Sequence, residues 1–239
     1  MPLIRYNGTY GWYSHIPKCA GSSVIHAVAH SPGNVFINNE HDIKTAGKRE
    51  DWSNVVSQEG WMPDKNWVIS LQHWHMELAE LFVLFDKIDF SFAMVRDPVD
   101  RMYSEFRFRH KAFTRLENAF SWQDWDLGQH HGHDQRTDDF LEWLENMKRS
   151  YIANPTVWDN HFRPQCDFIR EDTHLFMYPE FTPLADFFEE RFGFRPHFTK
   201  RNQSPAGDAD KDITKECRNF IETWYTKDYE MIETKSRFG

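Results

Sequence analysis

The stretch Tyr13-Ser14-His15-Ile16-Pro17-Lys18-Cys19-Ala20-Gly21-Ser22-Ser23-Val24 constrains the fold more than any other, because three local signals follow one another in it. Thr9 to Ile16, aromatic and β-branched, reads as the first strand; Pro17 and Gly21 mark a tight loop; Ser22 and Ser23 are natural helix starters. Val24, Ile25 and Val28 then open an apolar face, which predicts a helix over Ser23 to His30, stopped by Ser31-Pro32-Gly33. A helix N-terminus exposes unpaired N–H groups and a partial positive charge, so a strand, a Gly-bearing loop carrying Lys18 and then a helix make an anion cradle. Gly21 frees the backbone to approach a ligand, and phosphate is the favoured anion. Read more plainly, Gly-Ser before a helix is only a cap.

A second junction of this kind lies roughly eighty residues on. Phe90-Ser91-Phe92-Ala93-Met94-Val95 reads as a buried strand, and Arg96-Asp97-Pro98-Val99-Asp100-Arg101-Met102-Tyr103-Ser104 as a turn feeding a helix. Pro98 suits a first helical turn, where its missing N–H costs nothing. Arg96 at a strand's carboxyl end and Ser104 two helical turns later can face one phosphate, the Arg through its charged fork and the Ser through its hydroxyl. The alternative is a strand–turn–helix whose Arg caps a carboxylate.

The order of residues excludes the nucleoside-triphosphatase loop, which places its Lys after a second Gly, whereas Lys18 precedes a single Gly21. His15-Ile16-Pro17-Lys18-Cys19-Ala20-Gly21-Ser22-Ser23 instead resembles the 5′-phosphosulfate loop of sulfotransferases that use 3′-phosphoadenosine 5′-phosphosulfate (PAPS). Arg96-Asp97-Pro98, with Arg101 and Ser104, resembles the same family's 3′-phosphate motif. Further segments are similar to that family: His161-Phe162-Arg163-Pro164-Gln165, Phe176 to Glu180, and Tyr225 to Tyr229 in a final helix. Arg201-Asn202-Gln203-Ser204 occupies the place of its nucleotide-closing loop.

The resemblance implies an α/β fold, P-loop-containing nucleotide hydrolase-like, in three layers with a central, largely parallel sheet flanked by helices, in one domain over residues 1–239. It implies PAPS as donor cosubstrate without a metal. Lys18 and the backbone of Cys19, Ala20, Gly21, Ser22 and Ser23 would hold the phosphosulfate, and Arg96 and Ser104 the 3′-phosphate. Arg201, Asn202 and Ser204 would complete the nucleotide site.

A base for the acceptor hydroxyl is sought among the histidines. Trp67-Val68-Ile69-Ser70-Leu71 reads as a buried strand, followed by Gln72-His73-Trp74-His75 and a helical pattern through Leu78, Leu81, Phe82 and Phe85. Ligands gather at the carboxyl ends of strands in open α/β sheets, and a near-neutral imidazole can take a proton there. Capping, packing or a His-x-His metal pair are the competing readings. Gln72-His73 with Leu78 and Leu81 resembles a pattern of bacterial members and names His73 as base. His73-Trp74-His75 resembles the His-Gly-His of heparan sulfate 2-O-sulfotransferases and names His75. We take His73 first and His75 second.

Between the motifs and the later helices lies a basic cluster, Arg107, Arg109, His110, Lys111 and Arg115, which either meets an anionic ligand or forms a solvated helix face. His130, His131 and His133 are too closely spaced for a structural zinc site. Phe140 to Met147 and Leu184 to Phe192, the latter ending at Gly193, read as helices covering the sheet. Asn34 to Pro63 is mixed and polar, with Val35-Phe36-Ile37 a short strand.

A formal charge of −9 argues against a broad nucleic-acid surface and for small-molecule partners; the family resemblance implies a carbohydrate or small-metabolite acceptor. No run approaches the roughly 20 apolar residues of a membrane span, and the first residues lack a leader's apolar core. Cys19, Cys166 and Cys217 are far apart and odd in number, which suits a reducing, cytoplasmic setting. A kinase-like phosphotransferase and a non-catalytic nucleotide-binding protein are the readings from other classes. Oligomeric state has no signature in the chain.

Overall fold

The computed structural model describes residues 2–29, 34–38, 66–70, 88–116, 137–155, 157–199 and 213–238. Along the chain the elements are β1 (Pro2–Tyr6), β2 (Thr9–Tyr13), α1 (Gly21–Ala29), β3 (Asn34–Asn38), β4 (Asn66–Ser70), β5 (Phe90–Val95) and α2 (Pro98–Leu116). There follow α3 (Phe140–Ala153), a short helical turn α4 (Val157–Asn160), a 3-10 turn (Gln165–Phe168), β6 (Thr173–Met177), α5 (Thr182–Phe192), α6 (Lys215–Trp224) and α7 (Thr226–Phe238). They fall into two compact units, each assembled from two stretches: Met1–Val95 with Phe168–Arg201, and Arg96–Asp167 with Asn202–Gly239.

Among the described residues the first unit is a mixed α/β unit built on a six-stranded sheet in the order β3-β4-β1-β2-β5-β6. β3 with β4, β2 with β5, and β5 with β6 run parallel, whereas β1 runs antiparallel to both β2 and β4. β2 to β6 therefore share one direction, as the largely parallel sheet read from the sequence requires, and the departure from it is the inverted β1 in the middle. The cause is local. Asn7 and Gly8 take φ of 50° and 83°, the pair of positive values a type I′ hairpin turn demands, and a two-residue turn joins only antiparallel strands. The strand expected from Thr9 to Ile16 ends earlier, at Tyr13, and is the second of the sheet.

Every residue of β5 is buried, as befits a strand covered on both faces. Phe90 meets Phe187 of α5 edge to face at 5.2 Å, and Phe92 meets Phe188 in the same manner at 5.2 Å. The neighbouring Ser91 and Thr173, in register across β5 and β6, satisfy their buried hydroxyls by a mutual hydrogen bond of 2.9 Å. Helix α1 packs against β3 and β4, and α5 stops at Gly193, whose φ of 75° is the left-handed cap expected there.

The second unit is helical. Met102 and Phe106 of α2, Trp143 and Leu144 of α3, and Ile221 of α6 share one buried core with Phe162. Trp143 sits edge to face against both Phe106 (5.4 Å) and Phe162 (5.6 Å). Helix α3, expected as sheet cover from Phe140 to Met147, continues to Ala153 and packs against α2 and α6. Asp139 caps it by accepting from the N–H of Glu142, and Thr214 caps α6 through Cys217. Among the described residues no helix is long and apolar enough to cross a membrane.

Candidate functional site

The loop between β2 and α1 departs from ordinary turn geometry at two non-glycine residues. Lys18 and Ala20 have φ of 66° and 65°, while Cys19 between them does not, so the sign of φ alternates through the loop. Successive N–H groups in such an alternating backbone converge on one side, the arrangement that makes an anion-binding nest. Holding Lys and Ala at positive φ costs on the order of 1 kcal/mol each, a strain that the rest of the loop must offset. Internal bonds do so: the N–H of Cys19 donates to the Ile16 carbonyl (3.3 Å), and those of Ser23 and Val24 donate to the Ala20 carbonyl (2.9 and 3.1 Å).

Helix α1 consequently starts at Gly21, two residues before the Ser23 expected from the sequence. The N–H groups of Ala20, Gly21 and Ser22 have no backbone acceptor among the described residues. Lys18 and Ala20 are half-buried, Ser22 is exposed, and Cys19 and Ser23 are buried. The contribution of Cys19 to a ligand is therefore confined to its backbone, and its N–H is already engaged within the loop.

Gly21 also makes room for a side chain of the protein itself. Its φ is not in the left-handed region, and the space its Cβ would fill is held by the His15 imidazole. His15 in turn lies parallel to the Tyr13 ring at 5.7 Å, and Tyr13 stacks on Phe92 of β5 at 5.0 Å. Tyr13 is fully buried; that burial and the adjacent Cys19 push its phenol well above the ordinary tyrosine range, so it serves as a neutral platform. The loop is thus braced from the sheet upward by two stacked rings, with glycine making room for the second.

The other junction is organised around Asp97. Its Oδ1 accepts from the N–H groups of Val99 (2.9 Å) and Asp100 (3.0 Å), an N-cap that fixes the start of α2 at Pro98. Arg96 and Ser104 are half-buried. The main chain of Arg96 is held on both sides by one side chain: its N–H donates to Gln165 Oε1 (2.9 Å), and Gln165 Nε2 donates back to its carbonyl (2.8 Å).

Arg101, the second arginine of this motif, is wholly buried. Its Nη2 donates to the carbonyls of His161 (2.8 Å) and Arg163 (2.9 Å), its Nη1 lies 4.0 Å from Asp228, and its guanidinium sits over the Tyr225 ring. Tyr225, itself buried, donates its hydroxyl to the Phe162 carbonyl at 2.8 Å. One turn on from Arg101, buried Glu105 accepts from Arg109 Nε (2.6 Å) and His161 Nδ1 (2.9 Å), and Arg109 stacks 4.1 Å from the Trp158 ring centroid. Arg109 thus leaves the basic cluster of the sequence reading: it is a buried ion-pair partner of Glu105 and no part of a solvated helix face.

Glu105 is the residue that sequence reasoning passed over, and Gln165 and Asp228, noted only within family-like segments, were given no role. The spacing of Glu105 and Arg109, four apart on a helix, was a usable signal; Gln165 and Asp228 carry no local pattern that reveals their partners. His73 and His75, the closing-loop residues Arg201, Asn202 and Ser204, and the His130–His133 segment lie outside the described residues. Among the described residues no group of His, Cys, Asp or Glu is disposed to hold a metal ion.

Two comparisons bear on this geometry. The model of a family described as "Sulfotransferase family" matches residues 12–233, which takes in both junctions and the Tyr225–Tyr229 segment. No curated protein matches the chain.

Proposed function

Because the chain belongs to the sulfotransferase family, we propose that it moves the sulfuryl group of PAPS to a hydroxyl of a carbohydrate or small-metabolite acceptor. Its fold is then the three-layer P-loop-like class, acting as a single catalytic domain over residues 1–239. Lys18 and the N–H groups of Ala20, Gly21 and Ser22 bind the 5′-phosphosulfate, Arg96 and Ser104 bind the 3′-phosphate, and Arg201, Asn202 and Ser204 close over the nucleotide.

In the reaction the acceptor oxygen attacks sulfur in line with the leaving phosphate. The new O–S bond forms as the S–O bond to the 5′-phosphate breaks, and the electron pair leaves with adenosine 3′,5′-bisphosphate. His73, or failing it His75, takes the acceptor proton. Lys18 neutralises the charge that grows on the departing phosphate oxygens. No step needs a metal ion, and the three cysteines, none in a disulfide, suit a reducing cytoplasmic setting.

The observation that carries this reading is the alternating backbone from Lys18 to Gly21 at the start of α1, a nest with a lysine at its rim. The test is calorimetric titration with adenosine 3′,5′-bisphosphate, ADP and AMP, with and without magnesium, on the wild type and on Arg96→Ala. Metal-independent selectivity for the bisphosphate, lost in Arg96→Ala, is the expected result. Magnesium-dependent preference for ADP refutes the assignment and favours a kinase-like phosphotransferase. Turnover unchanged from the wild type in both His73→Ala and His75→Ala refutes the base.

A further inference from the structure

A run of contacts through three buried side chains ends at the main chain of Arg96. The first is Gln165, completely buried, whose amide makes the reciprocal pair of hydrogen bonds described above. An amide is suited to this because it carries a donor and an acceptor in one plane and so imitates a neighbouring β-strand. The second is Asp228 in the first turn of α7, also completely buried, whose two oxygens accept from the N–H groups of Gln165 (2.9 Å) and Cys166 (2.9 Å). The third is Arg101, which holds the carbonyls of His161 and Arg163 and lies beside Asp228. Side chains from α2 and α7 thereby anchor the 161–166 segment at four backbone groups, and that segment anchors Arg96.

We propose that Gln165 is a positioning residue that aims Arg96 at the 3′-phosphate, with Asp228 fixing Gln165 in turn. This rests on the assignment of Arg96 as the 3′-phosphate ligand. Arg96 has no regular secondary structure of its own, since β5 ends at Val95 and α2 begins at Pro98. A rotation of a few tens of degrees in its backbone would swing the far end of a side chain this long out of bidentate range. Its two main-chain bonds to Gln165 remove that freedom, so the bidentate geometry needed for a phosphate is set before the ligand arrives.

The readout is the affinity ratio between adenosine 3′,5′-bisphosphate and AMP, measured by calorimetry on the wild type, Gln165→Met, Gln165→Glu and Arg96→Ala, with circular dichroism to establish folding. Gln165→Met keeps the length and removes both bonds; Gln165→Glu keeps the acceptor for the Arg96 N–H but sets an oxygen against the Arg96 carbonyl. Each variant is expected to lower the ratio by about tenfold, the size of a lost pair of buried hydrogen bonds, while AMP affinity changes less than about twofold. A merely structural role would weaken both ligands together and leave the ratio alone. A wild type that does not distinguish the two ligands overturns the Arg96 assignment itself. If Arg96→Ala abolishes the ratio and the Gln165 variants retain it, Arg96 stands and the role of Gln165 is refuted. Should Gln165→Met fail to fold, the near-isosteric Gln165→Glu decides the matter by the same ratio.

Discussion

Glu105→Gln isolates the one buried carboxylate of α2 whose partners are both cationic or able to become so. The carboxylate has no exposure, Arg109 is 7% exposed and His161 17%, so water can replace little of what the substitution removes. Glutamine keeps the shape but cancels the charge, and its amide nitrogen must face one of two donors, at 2.6 Å or 2.9 Å. Removing one partner of a buried ion pair costs about 3–5 kcal/mol. The lower end applies here, because Arg109 retains its stack on Trp158. A loss of about 3 kcal/mol is about a hundredfold in the folding equilibrium. Urea denaturation followed by circular dichroism measures it. The companion variant Glu105→Leu with Arg109→Met removes both charges and is expected to lose less than the single change, since it strands no buried ion. Added salt should alter the single variant's loss little, because screening reaches exposed charges more than buried ones. A loss below about 1 kcal/mol for Glu105→Gln, or a double variant less stable than the single, refutes the argument.

Gly21→Ala places a Cβ where the His15 imidazole lies, and is expected to cost about 1–3 kcal/mol and weaken bisphosphate binding. Adding His15→Ala should restore much of the stability, and a failure of that rescue in thermal melts would count against the steric account. Asp97→Ala removes the cap of α2 and should cost about 1 kcal/mol, whereas Asp97→Asn keeps an acceptor and should cost clearly less; equal losses in urea titrations refute the capping role. Burial, followed by Asp228 and Asp167, pushes the Cys166 thiol up to about 12 from its ordinary 9.0, and burial also raises Tyr13, Tyr225 and Tyr229. Each group binds its proton more tightly when folded, so the stability it contributes is complete below its unfolded value and is lost as pH rises toward the folded one. Circular dichroism should show the fold weakening between about pH 9 and 12, and Cys166 should react slowly with thiol reagents at pH 8. A melting temperature constant to pH 12, or rapid labelling of Cys166, is the contrary result.

The elements whose cause lies within a few residues were legible in the chain. The apolar run Phe90–Val95 is a strand with those bounds, Pro98 opens α2, and α5 ends at Gly193, because periodicity, a fixed proline φ and a left-handed cap are local properties. The hairpin of β1 and β2 was equally legible in Asn7-Gly8, and a reading that began its first strand at Thr9 passed it by; with it went the inverted strand of the sheet. The positions of the two strand-to-helix junctions were legible for the same local reason.

What their neighbours do was settled by contacts between distant parts of the chain. Gly21 serves the His15 ring, and Arg109 turns inward to Glu105 and Trp158. Gln165 and Asp228, 63 positions apart, secure the backbone of Arg96, 69 positions from Gln165. A charged or amide side chain reads the same in sequence whether it faces water or a buried carbonyl. Its role is fixed by whether folding removes its water and brings a distant partner within hydrogen-bond range, and no local pattern encodes that.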